Sequence, residues 1–235
     1  MNKIYCVMAS MGLLLASTIS LAAKGGDPVI TKVMVDQFEV RDDSGESTTV
    51  LEGQTWVGKD LNKLWIKLDS DYESSDEYES EVQFLYSKAV APYWDLQMGL
   101  RNDNSPDEND SYGVLGFQGL APYYFETDVA AFISEDGDVS ARLSFEYELL
   151  LTQKLILSPE LSLDLYAQDD SENGIGSGLS SSNLGLRLRY EITREFAPYI
   201  GISQDQLYGD SADYAKLAGV DDNKSQWVVG VRAWF

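Results

Sequence analysis

The chain contains no histidine and a single cysteine, Cys6. Without an imidazole there is no Ser-His or Cys-His catalytic pair and no histidine-ligated zinc site, and one thiol makes no disulfide framework. Positive charge is also scarce. Seventeen basic residues stand against 39 acidic ones, a net charge of −22, which phosphate backbones would repel, so nucleic acid is excluded as a partner. Beyond the first 23 residues no uninterrupted apolar run approaches the ~20 residues of a membrane helix. If this chain spans a membrane it must do so as a closed barrel, because only closure pairs every strand's backbone groups in lipid. With 44% hydrophobic and 11% aromatic residues, the composition does not suit a disordered acidic tail.

The start of the chain reads as a secretory signal peptide, residues 1–23. Lys3 supplies the positive end, Val7 to Leu15 the apolar middle, and Ser20-Leu21-Ala22 a small-residue cleavage site. Cys6 lies inside it, too early for lipoprotein acylation. A short periplasmic lead-in, residues 24–32, is expected to precede one domain over residues 33–235.

That domain is organised around a strict two-residue alternation. Val139, Ala141, Leu143, Phe145, Tyr147 and Leu149 alternate with Ser140, Arg142, Ser144, Glu146 and Glu148. After a break at Leu150 to Lys154, Leu155, Leu157, Pro159, Leu161, Leu163 and Leu165 alternate with Ile156, Ser158, Glu160, Ser162, Asp164 and Tyr166. A period of two puts each set on its own face of a strand, giving a hairpin with one apolar and one polar face. Each arm has the ~10 residues of a tilted strand crossing a bilayer. An antiparallel sandwich or soluble barrel alternates in the same way, so the connections have to separate the readings.

Strands are expected at 33–40, 50–58, 61–68, 82–88, 94–101, 112–119, 123–133, 184–192, 199–206 and 225–235, besides the hairpin. Short turns alternate with loops expected to be long and mostly acidic: Arg41 to Thr49, Asp69 to Ser80, Asn102 to Asp110, a small one at Ser134 to Asp138, a Gly/Ser-rich Asp169 to Ser181, and Leu207 to Lys224 as the longest. The acidic stretch from Asp69 reads as a solvated loop, with a metal site as its competitor. Ala91-Pro92-Tyr93, Ala121-Pro122-Tyr123 and Ala197-Pro198-Tyr199 repeat at short turns, where proline need not donate to the ladder. Tyr93, Trp94, Tyr123, Tyr124, Phe125, Phe196, Tyr199, Trp234 and Phe235 gather at the same end, as an interfacial girdle would. The pattern predicts an all-β fold, a transmembrane antiparallel up-and-down barrel of about 12 strands with both termini periplasmic. The closing segment, Trp227, Val229, Val231, Ala233 and terminal Phe235, resembles the signal read by the barrel assembly machinery of the outer membrane.

With the apolar faces against lipid and lipopolysaccharide, the interior should receive Lys63, Lys67, Glu81, Asp95, Arg101, Arg142, Glu146, Glu148, Glu160, Asp164, Arg187, Arg189, Glu191 and Arg232. Both signs occur in number, so a lumen cross-braced by ion pairs is expected rather than a wide channel. Such pairs serve as structure or as an ion path.

The chain resembles the copper resistance protein B family from about Asp36 onward. The resemblance rests on Asn62-Lys63-Leu64-Trp65, Tyr93-Trp94-Asp95-Leu96-Gln97, Gly119-Leu120-Ala121-Pro122-Tyr123, Leu149-Leu150-Leu151-Thr152-Gln153, Gly185-Leu186-Arg187-Leu188-Arg189-Tyr190-Glu191, Arg194-Glu195-Phe196-Ala197-Pro198-Tyr199 and Gly230-Val231-Arg232-Ala233-Trp234-Phe235, among other runs. It implies an outer-membrane protein of periplasmic copper detoxification, not an enzyme, with copper ions as cargo and a periplasmic multicopper oxidase or copper chaperone as a candidate partner. Family members commonly carry an amino-terminal extension rich in methionine and histidine, the ligands copper prefers. Here the mature chain is expected to begin almost at the barrel, with Met34 and Met98 as its thioethers, so no ligand of that extension is carried over. Met98 falls on the apolar face, where packing competes with ligation. Copper would then meet luminal carboxylates such as Glu146, Glu148, Glu160 and Asp164. The competing reading is a structural or non-specific barrel whose acidic loops engage divalent cations and lipopolysaccharide. A hydrolase stands behind both, for want of a histidine base.

Overall fold

The computed structural model describes residues 28–235 apart from 44–45, 74–77, 107–108 and 172. The expected signal peptide and its cleavage site lie outside the described residues. The strands are β1 (Ile30–Asp43), β2 (Glu46–Lys59), β3 (Asn62–Glu73), β4 (Tyr78–Ala91), β5 (Trp94–Asn104), β6 (Asn109–Ala121), β7 (Phe125–Ser134), β8 (Val139–Glu146), β9 (Leu149–Leu150), β10 (Leu155–Tyr166), β11 (Gly178–Tyr190), β12 (Phe196–Leu207) and β13 (Asn223–Trp234). Each pairs antiparallel with its chain neighbours. β8 and the two-residue β9 both pair with β10 on the same side, so they form one barrel strand interrupted at Tyr147-Glu148. The ring closes where β1 meets β13, with Met34 opposite Trp234 and backbone bonds between Val33 and Phe235 of 3.0 and 2.8 Å. The result is a closed barrel of 12 strands, with β1 beginning at Ile30, inside the expected lead-in.

Its polarity is inverted relative to a soluble protein. Leu64, Phe84, Leu100, Leu115, Ile200 and Val229 are exposed on the outside, while Glu39, Arg187, Arg189, Gln97 and Gln226 are buried inside. A continuous apolar band of this kind far exceeds the few hundred Å² that water-soluble monomers expose; lipid is the solvent that stabilises it. The alternation read from residues 139–166 produces this directly: Ile156 and Ser158 point inward, 3% exposed, and the intervening leucines outward. No helix among the described residues is long and apolar enough to cross a membrane.

Four expected loops are corrected. Strands run to Asp43 and Glu73 and resume at Glu46 and Tyr78, and β5 and β6 reach Asn104 and Asn109. The hairpin tips are therefore short, and Asp69, Asp71 and Glu79 are strand residues. Acidic and serine-rich stretches are poor strand formers by propensity, but pairing on both sides and an aqueous inner face override that. The expected 207–224 loop contains a helix, α1 (Gly209–Ala218), closed by Gly219 with φ 78°, a left-handed cap that glycine accepts without strain. Ser211 anchors it, accepting the Gly176 N–H at 2.7 Å and sharing a 2.8 Å hydrogen bond with Ser180. Lys216 in the last turn of α1 pairs with Asp222 at 2.8 Å. That bond holds the Asp222 carboxyl below its usual range and the Lys216 ammonium above.

The girdle needs one correction. Tyr93, Tyr123 and Tyr124 are exposed at the short-turn end, all with positive φ. Tyr199 instead faces inward, 3% exposed, because Ala197-Pro198-Tyr199 lies within β12 rather than in a turn. Trp227, Val229 and Phe235 of the closing segment are exposed on the outer face, and Val231 alternates with them on the lipid side.

Candidate functional site: the charged lumen

A β-bulge between Val35 and Gln37 decides which residues of β1 enter the lumen. The extra residue shifts the parity of the strand, so Met34 and Asp36 point inward before it and Gln37, Glu39 and Arg41 after it. Glu39 is thereby fully enclosed, its side chain 0% exposed. Arg187 from β11 grips it with Nε and Nη2, both at 2.9 Å. Arg41 adds a bond of 2.7 Å and the Tyr199 hydroxyl one of 2.8 Å. Arg187 also donates to Gln37 at 2.7 Å and to Glu160 at 2.5 Å. Space for this cluster comes from glycine. A Cβ on Gly185 would come within 2.5 Å of the Arg187 guanidinium, and one on Gly230 within 2.6 Å of both Glu39 and the Tyr199 ring.

A second group lies nearer the short-turn end. Arg232 contacts Glu146 at 3.2 Å and both Glu148 and Asp36 at 3.5 Å. Arg189 pairs with Glu148 and stands 3.6 Å from Glu146. The register against β10 is the same on both sides of the interruption, so the alternation carries on from Glu146 and places Glu148 in this group. Across the barrel a third group joins Arg142 to Asp164 at 2.9 Å and to Glu81 at 3.0 Å, with Arg101 bridging Glu81 and Asp103. Arg101 and Arg142 both lie over the Phe132 ring, at 4.5 and 5.8 Å. Lys67 reaches Asp128 at 2.5 Å, and Lys63 reaches Asp95 at 2.8 Å.

Several of these pairs are chords between strands that are not neighbours: β1 to β10 and β11, β13 to β8, β4 to β8, and β3 to β7. They leave a cavity of about 670 Å³ lined by eleven carboxylates and six basic side chains.

Of the residues singled out from sequence, Lys67, Arg142, Glu146, Glu160, Asp164, Arg187, Arg189 and Arg232 line that cavity. Lys63, Asp95 and Glu148 also face inward, as ion-pair partners. Glu191 lies just past β11 at the short-turn end, paired with the exposed Arg194 at 3.2 Å. Met34 packs inside against the cluster of Trp65, Leu85, Val114 and Phe132. Met98 faces outward between Tyr86 and Leu115, 44% exposed. The two thioethers are thus on opposite sides of the barrel wall. Among the described residues no three acidic, cysteine or histidine side chains converge on a metal-sized site.

The four carboxylates singled out as copper contacts, Glu146, Glu148, Glu160 and Asp164, are each already bonded to an arginine. Sequence reading missed the opposite case. Glu52 and Asp69 stand directly across from each other on β2 and β3, with Asp71 one pleat further along the same face. Glu126 lies on β7. None of these four makes an ion pair or side-chain hydrogen bond with another described residue. The signal was present for Asp69 and Asp71, which extend the alternation of Lys63, Trp65 and Lys67 by two more steps.

Residues 29–235 match the family described as copper resistance protein B precursor. The chain is 41% identical to copper resistance protein B of Escherichia coli, over 86% of its own length and 69% of the relative's. It is 39% identical to a copper resistance protein B homolog of Pseudomonas syringae pv. tomato, with the same coverage. Among solved structures, the NanC porin superposes with a TM-score of 0.55 at 15% identity, covering 86% of this chain and 98% of that one. At that identity the likeness speaks to the barrel fold alone.

Proposed function

Because this chain belongs to the copper resistance protein B family, as an outer-membrane barrel serving copper resistance, we propose that it passes or transiently holds copper ions in its lumen. The observation that carries this reading is the excess of lumen carboxylate over lumen cation, eleven against six, concentrated at Glu52, Asp69, Asp71 and Glu126. A low-dielectric wall focuses such a field and raises the local concentration of a passing cation. Carboxylate oxygens hold Cu(II) weakly, as a transit site requires, whereas Met34 and Met98 do not meet to make a soft site for Cu(I). Glu146, Glu148, Glu160 and Asp164 take part only by exchanging an arginine for the ion, so they are the weaker and slower positions.

In this reading the barrel is not an enzyme, and copper is cargo rather than cofactor. Lipid and lipopolysaccharide surround the apolar band, the barrel assembly machinery receives the strand ending at Phe235, and a periplasmic copper oxidase or chaperone exchanges ions at the short-turn end. Deleting the gene in its host is expected to raise periplasmic copper and lower the copper concentration that stops growth. An unchanged copper response together with increased detergent sensitivity would put a purely structural barrel in its place.

A further inference from the structure

The lumen chords differ in how many bonds hold them. Arg187 is fixed by four hydrogen bonds and is 5% exposed. The Arg142–Glu81 chord is tied into Arg101, Asp164 and Gln83 and rests on an aromatic ring. The chord from β3 to β7 is a single bond. Lys67 Nζ donates to Asp128 and to no other described residue, and both side chains keep contact with the cavity, at 18% and 31% exposed.

Alternative acceptors flank this bond. Asp69 follows Lys67 by two residues on the same face of β3, and Glu126 precedes Asp128 by two on β7, each without a cation of its own. Successive inward positions on a strand are about 7 Å apart, a separation that a four-carbon ammonium stem spans by rotation. Lys67 is therefore an inward cation whose bond can be exchanged for another carboxylate without dismantling a cluster, and it lies beside the unpaired acidic row.

We infer that Lys67 sets the selectivity and the aperture of the lumen, its bond to Asp128 acting as a movable bar across the cation path. This rests on the proposed passage of cations through the barrel. With Lys67 across to Asp128, one positive charge stands in the path and the space beneath β4 to β7 is partitioned from the rest. With Lys67 drawn to Asp69 or Glu126, the bar is withdrawn. Arg187 and Arg142 stay in place in both arrangements and keep the barrel round.

The test is conductance and reversal potential of the purified, refolded full chain in planar bilayers under a potassium chloride gradient, for wild type and Lys67→Gln. Glutamine keeps length and polarity while removing the charge, and a heat-modifiable gel band reports that each barrel is folded. The variant is expected to conduct more by a factor of about two to five, with its reversal potential shifted toward that of potassium. A silent wild type beside a conducting Lys67→Gln supports the bar in its closed form. If wild type conducts and Lys67→Gln matches it in both readouts, the bar is overturned and the passage reading stands. If both folded proteins are silent, the passage reading and the bar fall together.

Discussion

On β1 and β10 the inward carboxylates Asp36, Glu39, Glu160 and Asp164 each end against a guanidinium, whereas on β2 and β3 Glu52 and Asp69 face each other with no cation bonded to either. The first arrangement recovers the cost of enclosing charge, because each ion is met by an opposite one with directed hydrogen bonds. The second does not recover it. Two acidic side chains directly opposite on a sheet do not stabilise it, so barrel stability alone gives no reason for Glu52 and Asp69. The contrast separates charge that braces from charge that remains free to meet a visiting cation.

The largest expected effect comes from breaking the braced side. Arg187→Ala leaves Glu39 and Glu160 enclosed without their cation, and removing one partner of a buried pair costs about 3–5 kcal/mol. Urea titration followed by the heat-modifiable gel shift is expected to show a midpoint well below wild type; an unchanged midpoint would mean that the cluster does not brace the barrel. A smaller loss is expected from Gly230→Ala, whose new methyl must displace the Tyr199 ring or Glu39. Overpacking of this kind costs about 1–3 kcal/mol, readable in the same titration.

The two regions also differ in how far they could be read from sequence. The barrel was legible because a period of two is local: Leu143, Leu163 and Leu186 announce a lipid face, and the strand ending at Phe235 announces its own outward residues. Which inward residue meets which was not legible. Glu39 and Arg187 are 148 residues apart, and they meet only because a bulge beside Asp36 changes the parity of β1 and because glycines 185, 201 and 230 leave room on three adjacent strands. The unpaired row was hidden for another reason. Asp69 and Asp71 sit in a stretch so acidic that it reads as loop, although the alternation from Lys63 continues through it. Residues were therefore assigned to the right face more readily than to the right role, and the carboxylates first taken as copper contacts proved to be those with arginine partners.

The smallest expected change in stability, and the largest in function, belongs to Glu52→Gln combined with Asp69→Asn. Relieving one opposed pair gains at most about 1 kcal/mol, while the two carboxylates beside the passage are gone. The measurement that tests the account most directly is the reversal potential of the wild-type barrel and of this double variant across a bilayer with a copper(II) salt gradient. The account predicts cation preference in wild type and a marked loss of it in the folded double variant. A folded wild-type barrel that favours anions, or a double variant with undiminished cation preference, would contradict it.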